Sequence, residues 1–185
     1  MKNIEAEALL RRICTDTRTC DIILTHSRLV AAKAKHIAEQ NKHLQPDMQF
    51  IQEAALLHDI GVIQCDAPEL FCVGQEPYIK HGVIGHDILI QQGLPQHARV
   101  CLTHTGISKQ QVIAQDLPLP HEDLLPATTE EKIIYLADKF FTKKPKQLTR
   151  EIPLKEIQEK LAATSEESVE FFEAVYHQLY RNCSQ

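Results

Sequence analysis

The chain has 185 residues, 43% of them hydrophobic, which is enough for one domain with a buried core. The formal net charge of −5 gives no overall basic surface of the kind typical of nucleic-acid-binding proteins, although it is compatible with a local basic patch. No apolar run reaches the ~18 residues of a membrane span, and the acidic N-terminal residues lack the apolar centre of a signal peptide. We therefore expect a cytoplasmic protein that binds neither membranes nor nucleic acid.

Apolar residues recur with helical spacing along most of the chain, and proline and glycine residues divide the pattern into segments. The spacing predicts helices at about residues 4–14, 21–40, 46–61, 80–92, 95–105, 108–114, 128–141, 153–163 and 166–181. Residues 16–21 are predicted as a turn, and 64–78 and most of 106–128 as loops. Since no stretch alternates as a strand does, the predicted fold is all-α, a single helical domain over residues 1–185 with packing helices at about 153–182.

The cysteines and histidines are the residues of the composition with potential metal chemistry. The six cysteines form no Cys-x-x-Cys pair and are expected to be reduced thiols. Cys65 and Cys72 flank a proline-containing segment and would allow a zinc site, but no second pair supports one. Ten histidines in a chain without tryptophan are the more unusual feature.

The segment Glu53-Ala-Ala-Leu-Leu-His-Asp-Ile-Gly61 is the strongest candidate for a functional site. An apolar helix ends there in two adjacent metal ligands, His58 and Asp59, and a buried carboxylate and imidazole are costly unless a cation or another partner stabilises them. A second dipeptide, His86-Asp87, lies in mid-helix, where adjacent side chains point about 100° apart and do not readily share one site. His58 and Asp59 are therefore the better candidates.

Four further residues have settings that fit the same site. His81 is favoured over His86 because the two point about 140° apart on a helix, and because Gly82 and Gly85 allow another backbone to approach His81 closely. His104 follows an apolar run, and a histidine that caps its own helix is the alternative there. His26 lies in an apolar stripe of a helix, and Asp138 follows Ile133, Ile134, Leu136 and Ala137.

Together these side chains form a set of hard and borderline ligands. Four imidazoles and two carboxylates suit iron, manganese, zinc or cobalt rather than calcium or magnesium alone. Six ligands exceed what one catalytic ion needs if a position is to stay open for water, so the set predicts one or, more fully, two divalent transition-metal ions.

The order of these residues resembles that of the HD-domain metal-dependent phosphohydrolase superfamily, in the subgroup with a His-Asp-Ile-Gly motif. His26, His58-Asp59 and Asp138 match its defining signature, and His81 and His104 match the histidines added in dinuclear members. The resemblance spans about residues 21–142 and implies a helical fold. It also implies that the signature residues hold one ion, that His81 and His104 hold the second, and that Asp59 bridges the two ions and positions a metal-bound hydroxide for attack on phosphorus.

Two departures from the family pattern concern the substrate. Many relatives continue the motif with a lysine that contacts substrate phosphate, whereas this chain has Val62. Three cations within two residues of proposed ligands, Arg28, Lys80 and Lys139, are the candidates to replace it. The basic run 143–146 is predicted as a solvated turn, and contact with phosphate or nucleic acid is the alternative there. The Gly-Tyr-Pro motif of cyclic-di-guanylate phosphodiesterases is absent, which argues against that substrate.

The predicted function is therefore the metal-dependent hydrolysis of a phosphate ester or anhydride in a small metabolite or nucleotide. A more specific version is a diadenosine-polyphosphate hydrolase. Two alternatives from other classes remain: a metal module that binds a nucleotide without cleaving it, and a di-iron oxygenase built on the same ligands.

Overall fold

The structure is a computed structural model that describes residues 5–180, and helices make up most of this range. The helices are α1 (Ala6–Ile13), α2 (Thr17–Gln40), α3 (Met48–Leu57), α4 (His81–Gln91), α5 (Pro95–Thr103), α6 (Lys109–Ala114), α7 (Thr129–Lys139), α8 (Leu154–Ala162) and α9 (Glu166–Tyr180). The all-α prediction is confirmed. The predicted ends at residues 4 and 181–182, and Cys183, lie outside the described residues.

Two helix ends differ from the sequence prediction by about four residues, more than the other ends do. Helix α2 begins at Thr17, inside the predicted turn, because the Asp16 carboxylate accepts hydrogen bonds from the backbone N–H groups of Arg18 and Thr19. Helix α3 ends at Leu57 instead of continuing to residue 61, and the chain proceeds as a 3-10 turn, Ile60–Gln64. His58 and Asp59 therefore lie at a bend between two elements.

The segment 64–78, predicted as a loop, contains a small hairpin. Strands β1 (Asp66–Ala67) and β2 (Cys72–Val73) pair antiparallel, with Asp66 opposite Val73 and Ala67 opposite Cys72. Strands of two residues are too short to show alternation in a sequence, which is why the pattern did not reveal them. Within the described range, all five cysteines are buried and free.

Two apolar clusters form most of the core. One cluster joins the C-terminal half of α2 to α3, α7 and α9, with Ile51 and Phe172 fully buried. The other joins α1 and the N-terminal half of α2 to the 3-10 turn and α4, with Leu10 and Leu89 fully buried. His26 lies on α2 between the residues assigned to the two clusters. No helix within residues 5–180 is both long and apolar enough to cross a bilayer.

Candidate metal centre

Five segments bring the six predicted ligands into one cluster. His26 lies on α2, the pair His58-Asp59 follows α3, and His81 is the first residue of α4. His104 follows the last residue of α5, and Asp138 is near the end of α7. The histidines and Asp59 are almost fully buried, whereas the Asp138 side chain keeps 14% of its surface exposed. The ligands thus converge from four helices and a bend, although 112 residues separate His26 from Asp138.

Backbone carbonyls orient three of the imidazoles. The Nδ1 atoms of His58, His81 and His104 lie 2.7, 2.8 and 2.8 Å from the carbonyl oxygens of the residues three positions earlier. A carbonyl only accepts, so Nδ1 must carry the proton and donate it. The Nε2 atom of each ring then points into the cluster, where a neutral ring offers its lone pair, which is the usual arrangement of metal-ligating histidines.

The carboxylate of Asp59 lies between two groups of histidines. Its Oδ2 atom is 3.1 Å from Nε2 of His26 and 3.0 Å from Nε2 of His58. Its Oδ1 atom is 3.4 Å from Nε2 of His81 and 3.5 Å from Nε2 of His104. One carboxylate oxygen faces each group, as expected of a ligand shared by two ions.

Asp138 completes the group that contains His26 and His58. Its Oδ1 atom is 3.0 Å from Nε2 of His26 and 3.4 Å from Nε2 of His58. Two sets of ligand atoms each lie within 4.8 Å of one another, one from His26, His58, Asp59 and Asp138, the other from Asp59, His81 and His104. The first set holds four donors and the second holds three.

The contacts within the cluster call for a cation. The Nε2 atoms of His81 and His104 are 3.0 Å apart, and if both rings donate through Nδ1, two lone pairs face each other. In addition, Nε2 of His58 and Oδ1 of Asp59 are buried without a hydrogen-bond partner. A positive ion among these atoms would satisfy all of them, so the residues present fit divalent metal ions. The donor types suit a borderline transition metal.

The electrostatic environment shifts the pKa values of the clustered histidines in opposite directions. Burial acts to lower the pKa of His58, but Asp59 and Asp138 outweigh it and raise the pKa to about 9. Burial, aided by the neighbouring His104, lowers the pKa of His81 to about 3. Burial acts to raise the pKa of Asp59, yet His58 and Lys143 hold it well below its usual value. Neighbouring charges therefore keep Asp59 ionised, and burial keeps His81 neutral, the forms that bind metal.

Two glycines allow the segments that carry the ligands to approach closely. A Cβ atom at Gly61 would lie 2.0 Å from the carbonyl oxygen of His81 and 2.4 Å from the backbone nitrogen of Gly85. A Cβ atom at Gly82 would lie 2.6 Å from the carbonyl oxygen of Cys101, on α5. The prediction that a glycine next to His81 permits close backbone approach is confirmed. Glycine is thus required where α4 packs on the 3-10 turn and on α5.

A cavity of about 380 Å³ opens onto the cluster. Three ligands, His81, His104 and Asp138, line it, as do Lys139 and Lys143. Apolar side chains cover other parts of its wall, namely Ile79, Ile107, Leu117 and Leu161. A volume in this range suits a small ligand, and the mixed wall offers apolar contact beside charged groups.

The structure corrects the expectations for the cations. Arg28 points away because two residues along a helix correspond to about 200°, and its guanidinium pairs with Glu7 of α1 at 2.8 Å. Lys80 pairs with Glu76 at 2.8 Å, and neither Arg28 nor Lys80 lines the cavity. Of the three proposed phosphate ligands, only Lys139 lies at the cluster.

Sequence reasoning missed two residues beside the cluster, Lys143 and Tyr78. Lys143 was predicted in a solvated turn, but its Nζ atom lies 2.6 Å from Oδ2 of Asp59. Tyr78 supplies the carbonyl that orients His81, and the two rings lie 4.9 Å apart. The chain turns back over the cluster after α7, and no local pattern around residue 143 indicates that turn. The exposed Lys144 and Lys146 behave as predicted.

The family model described as HD domain matches residues 23–142. The chain belongs to the HD domain family. The match covers more than half of the 185 residues and includes all six clustered ligands. Membership places the protein in a superfamily of metal-dependent phosphohydrolase type, which agrees with a cluster that fits divalent metal.

Three proteins from three organisms are similar to this chain. An uncharacterized protein of Methanocaldococcus jannaschii is 31% identical over 139 residues, which cover 72% of each chain. Two proteins named tRNA (cytidine(56)-2'-O)-methyltransferase are also similar. The one from Thermoplasma volcanium is 32% identical over 65% of this chain and 32% of its own, and the one from Picrophilus torridus is 30% identical over 76% and 36%. The chain thus matches only about a third of either methyltransferase.

Proposed function

We propose that the protein is a metal-dependent phosphohydrolase that cleaves a phosphate ester or anhydride in a small metabolite or nucleotide. The main support is the position of Asp59, whose two oxygens each face a different group of imidazoles. The family supports a hydrolase of this type. The matches to the two methyltransferases cover too little of those enzymes to carry their activity to this chain.

The side chains would divide the work as follows. His26, His58 and Asp138 would hold one ion together with Asp59, and His81 and His104 would hold a second ion on the other oxygen of Asp59. Divalent ions in such a site supply an activated water and neutralise phosphate oxygens. The carbonyls of Ala55, Tyr78 and Cys101 would fix the imidazoles in the tautomer that binds metal.

The cavity would hold the substrate against the cluster. Lys139 lies 15% exposed, and its Nζ atom is 3.0 Å from the carbonyl oxygen of His104. Its position at the cavity wall places a positive charge beside Asp138, where it would attract an anionic substrate. The apolar residues in other parts of the wall would contact a base or another uncharged part of the substrate.

Turnover by protein loaded with defined metals tests this function. Wild type would be loaded in turn with manganese, zinc, cobalt and anaerobic ferrous iron, then incubated with nucleotides, diadenosine polyphosphates and simple phosphate esters, and phosphate release would be measured. Asp59→Asn should abolish release, because the amide loses the charge and one acceptor that both groups of histidines face. Asp87→Asn is the matched control, since it changes the other His-Asp dipeptide, where Asp87 is 67% exposed, and should retain full activity.

The same samples separate the other readings. Preferential cleavage of diadenosine polyphosphates would support the more specific activity. Tight nucleotide binding without product at full metal occupancy would favour a binding module. A mixed-valence electron paramagnetic resonance signal in the aerobically handled iron protein, without phosphate release, would favour a di-iron oxygenase. Equal phosphate release by wild type and Asp59→Asn would show that the cluster is not the active site.

A further inference from the structure

Val62 cannot contact a substrate. It follows the motif at the position where many relatives carry a phosphate-binding lysine, but its side chain is fully buried in the apolar cluster around α1 and α4. Position 62 therefore supplies no cation near Asp59. The structure offers one from a distant part of the chain.

Lys143 lies on the segment after α7, and its Nζ atom is 2.6 Å from Oδ2 of Asp59. Only 14% of the side chain is exposed, in contrast to the solvent-exposed neighbour Lys144. The ammonium lies 5.9 Å from the ring centroid of Tyr78, and Lys143 lines the cavity that opens onto the cluster. Of the basic run 143–146, Lys143 is thus the member directed to the reacting end of the cavity.

Lys139 places a second ammonium group at the same end. Its Nζ atom is 3.4 Å from Oδ2 of Asp138 and 4.6 Å from the ring centroid of Tyr135. Among the residues that line the cavity, Asp138 is the sole acid, and it is also a predicted metal ligand. With Asp59 and Asp138 engaged by metal, the charges of Lys139 and Lys143 would face the substrate without an opposing carboxylate.

We propose that Lys143 binds the terminal phosphate of the substrate in place of the missing motif lysine, and that it makes the site selective for terminal phosphates over phosphodiesters. The proposal rests on the proposed function. A terminal phosphate carries nearly two negative charges at neutral pH, whereas a phosphodiester carries one. The lysine ammonium is a compact charge on a flexible four-carbon chain, so it can follow the oxygens of a terminal phosphate. The ammonium of Lys143 should therefore stabilise a bound terminal phosphate more than a bound phosphodiester.

Binding of inorganic phosphate tests this role without turnover. Calorimetric titration of metal-loaded protein with phosphate would compare wild type with Lys143→Met and with Lys144→Met, the adjacent exposed lysine. Loss of one charged hydrogen bond corresponds to a roughly 10- to 100-fold weaker affinity. We expect that loss in Lys143→Met, with metal content unchanged, and a change below about twofold in Lys144→Met.

Selectivity gives a second readout. The ratio of kcat/KM for p-nitrophenyl phosphate to that for bis(p-nitrophenyl) phosphate should fall in Lys143→Met, mainly through a higher KM for the monoester. Lys143→Arg should recover part of the phosphate affinity, because it keeps the charge. If Lys143→Met does not fold, mass spectrometry of wild type decides: phosphate should slow the acetylation of Lys143 and leave that of Lys144 unchanged.

Several results would overturn the role of Lys143. These are unchanged phosphate affinity in a folded Lys143→Met, equal acetylation of Lys143 with and without phosphate, or no phosphate binding by metal-loaded wild type. Loss of bound metal together with phosphate would also overturn it, because Lys143 would then only support Asp59. Wild type that binds phosphate through Lys143 but turns over no substrate would refute the proposed hydrolase and leave the phosphate site standing.

Discussion

Substitution of Gly61 by alanine should remove the second metal site while leaving the first in place. Gly61 lies in the 3-10 turn that follows the His58-Asp59 bend, directly against the start of α4. The new methyl group would lie 2.0 Å from the carbonyl oxygen of His81 and 2.4 Å from the nitrogen of Gly85. Both are backbone atoms, so no side-chain rotation relieves the clash.

The required movement is large compared with what a metal site tolerates. Ordinary van der Waals contact with a Cβ atom begins at 3.4 Å, so the turn and α4 must separate by up to roughly 1.4 Å. Metal–ligand distances vary by only about 0.2 Å. His81 moves with α4 and therefore leaves the position that it shares with Asp59 and His104. Such overpacking should also lower the free energy of unfolding by about 1–3 kcal/mol.

Metal analysis combined with thermal unfolding measures both effects. Wild type should bind two ions per chain and Gly61→Ala one, because the first site takes no ligand from α4, the element that is displaced from the bend carrying His58 and Asp59. Gly93→Ala is the control: Gly93 has a φ of +73° with no heavy atom within 4 Å of an added Cβ. That change costs about 1–2 kcal/mol of backbone strain but should leave both ions bound. Two ions in folded Gly61→Ala would refute the reasoning.

Three further predictions concern the cluster and its supporting helix. His81→Ala should lower the metal content to one ion per chain. His86→Ala is the control and should keep two ions, because the ring of His86 pairs with the exposed Asp87. Equal metal content in the two variants would contradict the assignment of His81. Because Asp59 and Asp138 raise the pKa of His58 from 6.5 to about 9, its contribution to stability is fully present below pH 6.5 and is lost as pH rises through 9. Thermal unfolding in chelator should show this decrease between pH 6.5 and 9, and saturating metal should remove it, since a ligated His58 carries no such proton. Finally, Thr128→Ala removes the hydroxyl that accepts from the backbone N–H of Glu131 at the start of α7. It should cost about 1 kcal/mol in denaturant unfolding without loss of metal.

The sequence by itself determined the helical fold and the identities of the candidate ligands that cluster. Helical spacing of apolar residues and the positions of proline and glycine are local properties of the sequence. They locate a helix even where its predicted end differs from the observed one, as for the helix that ends at Leu57. His58, Asp59 and Asp138 were recognisable because an ionisable side chain in an apolar helix needs a partner. The remaining histidines, His26, His81 and His104, were assigned as ligands because their order along the chain resembles that of the family.

The tertiary structure alone decided which other charges reach the cluster. Arg28 and Lys80 adjoin ligands in sequence but point elsewhere, because neighbours on a helix or in a turn face different directions. Lys143 lies 84 residues from Asp59 and contacts it only because the chain folds back after α7. Contacts over such separations depend on how helices pack, which no local spacing encodes. That is why the ligand set could be read from the chain and the cation beside it could not.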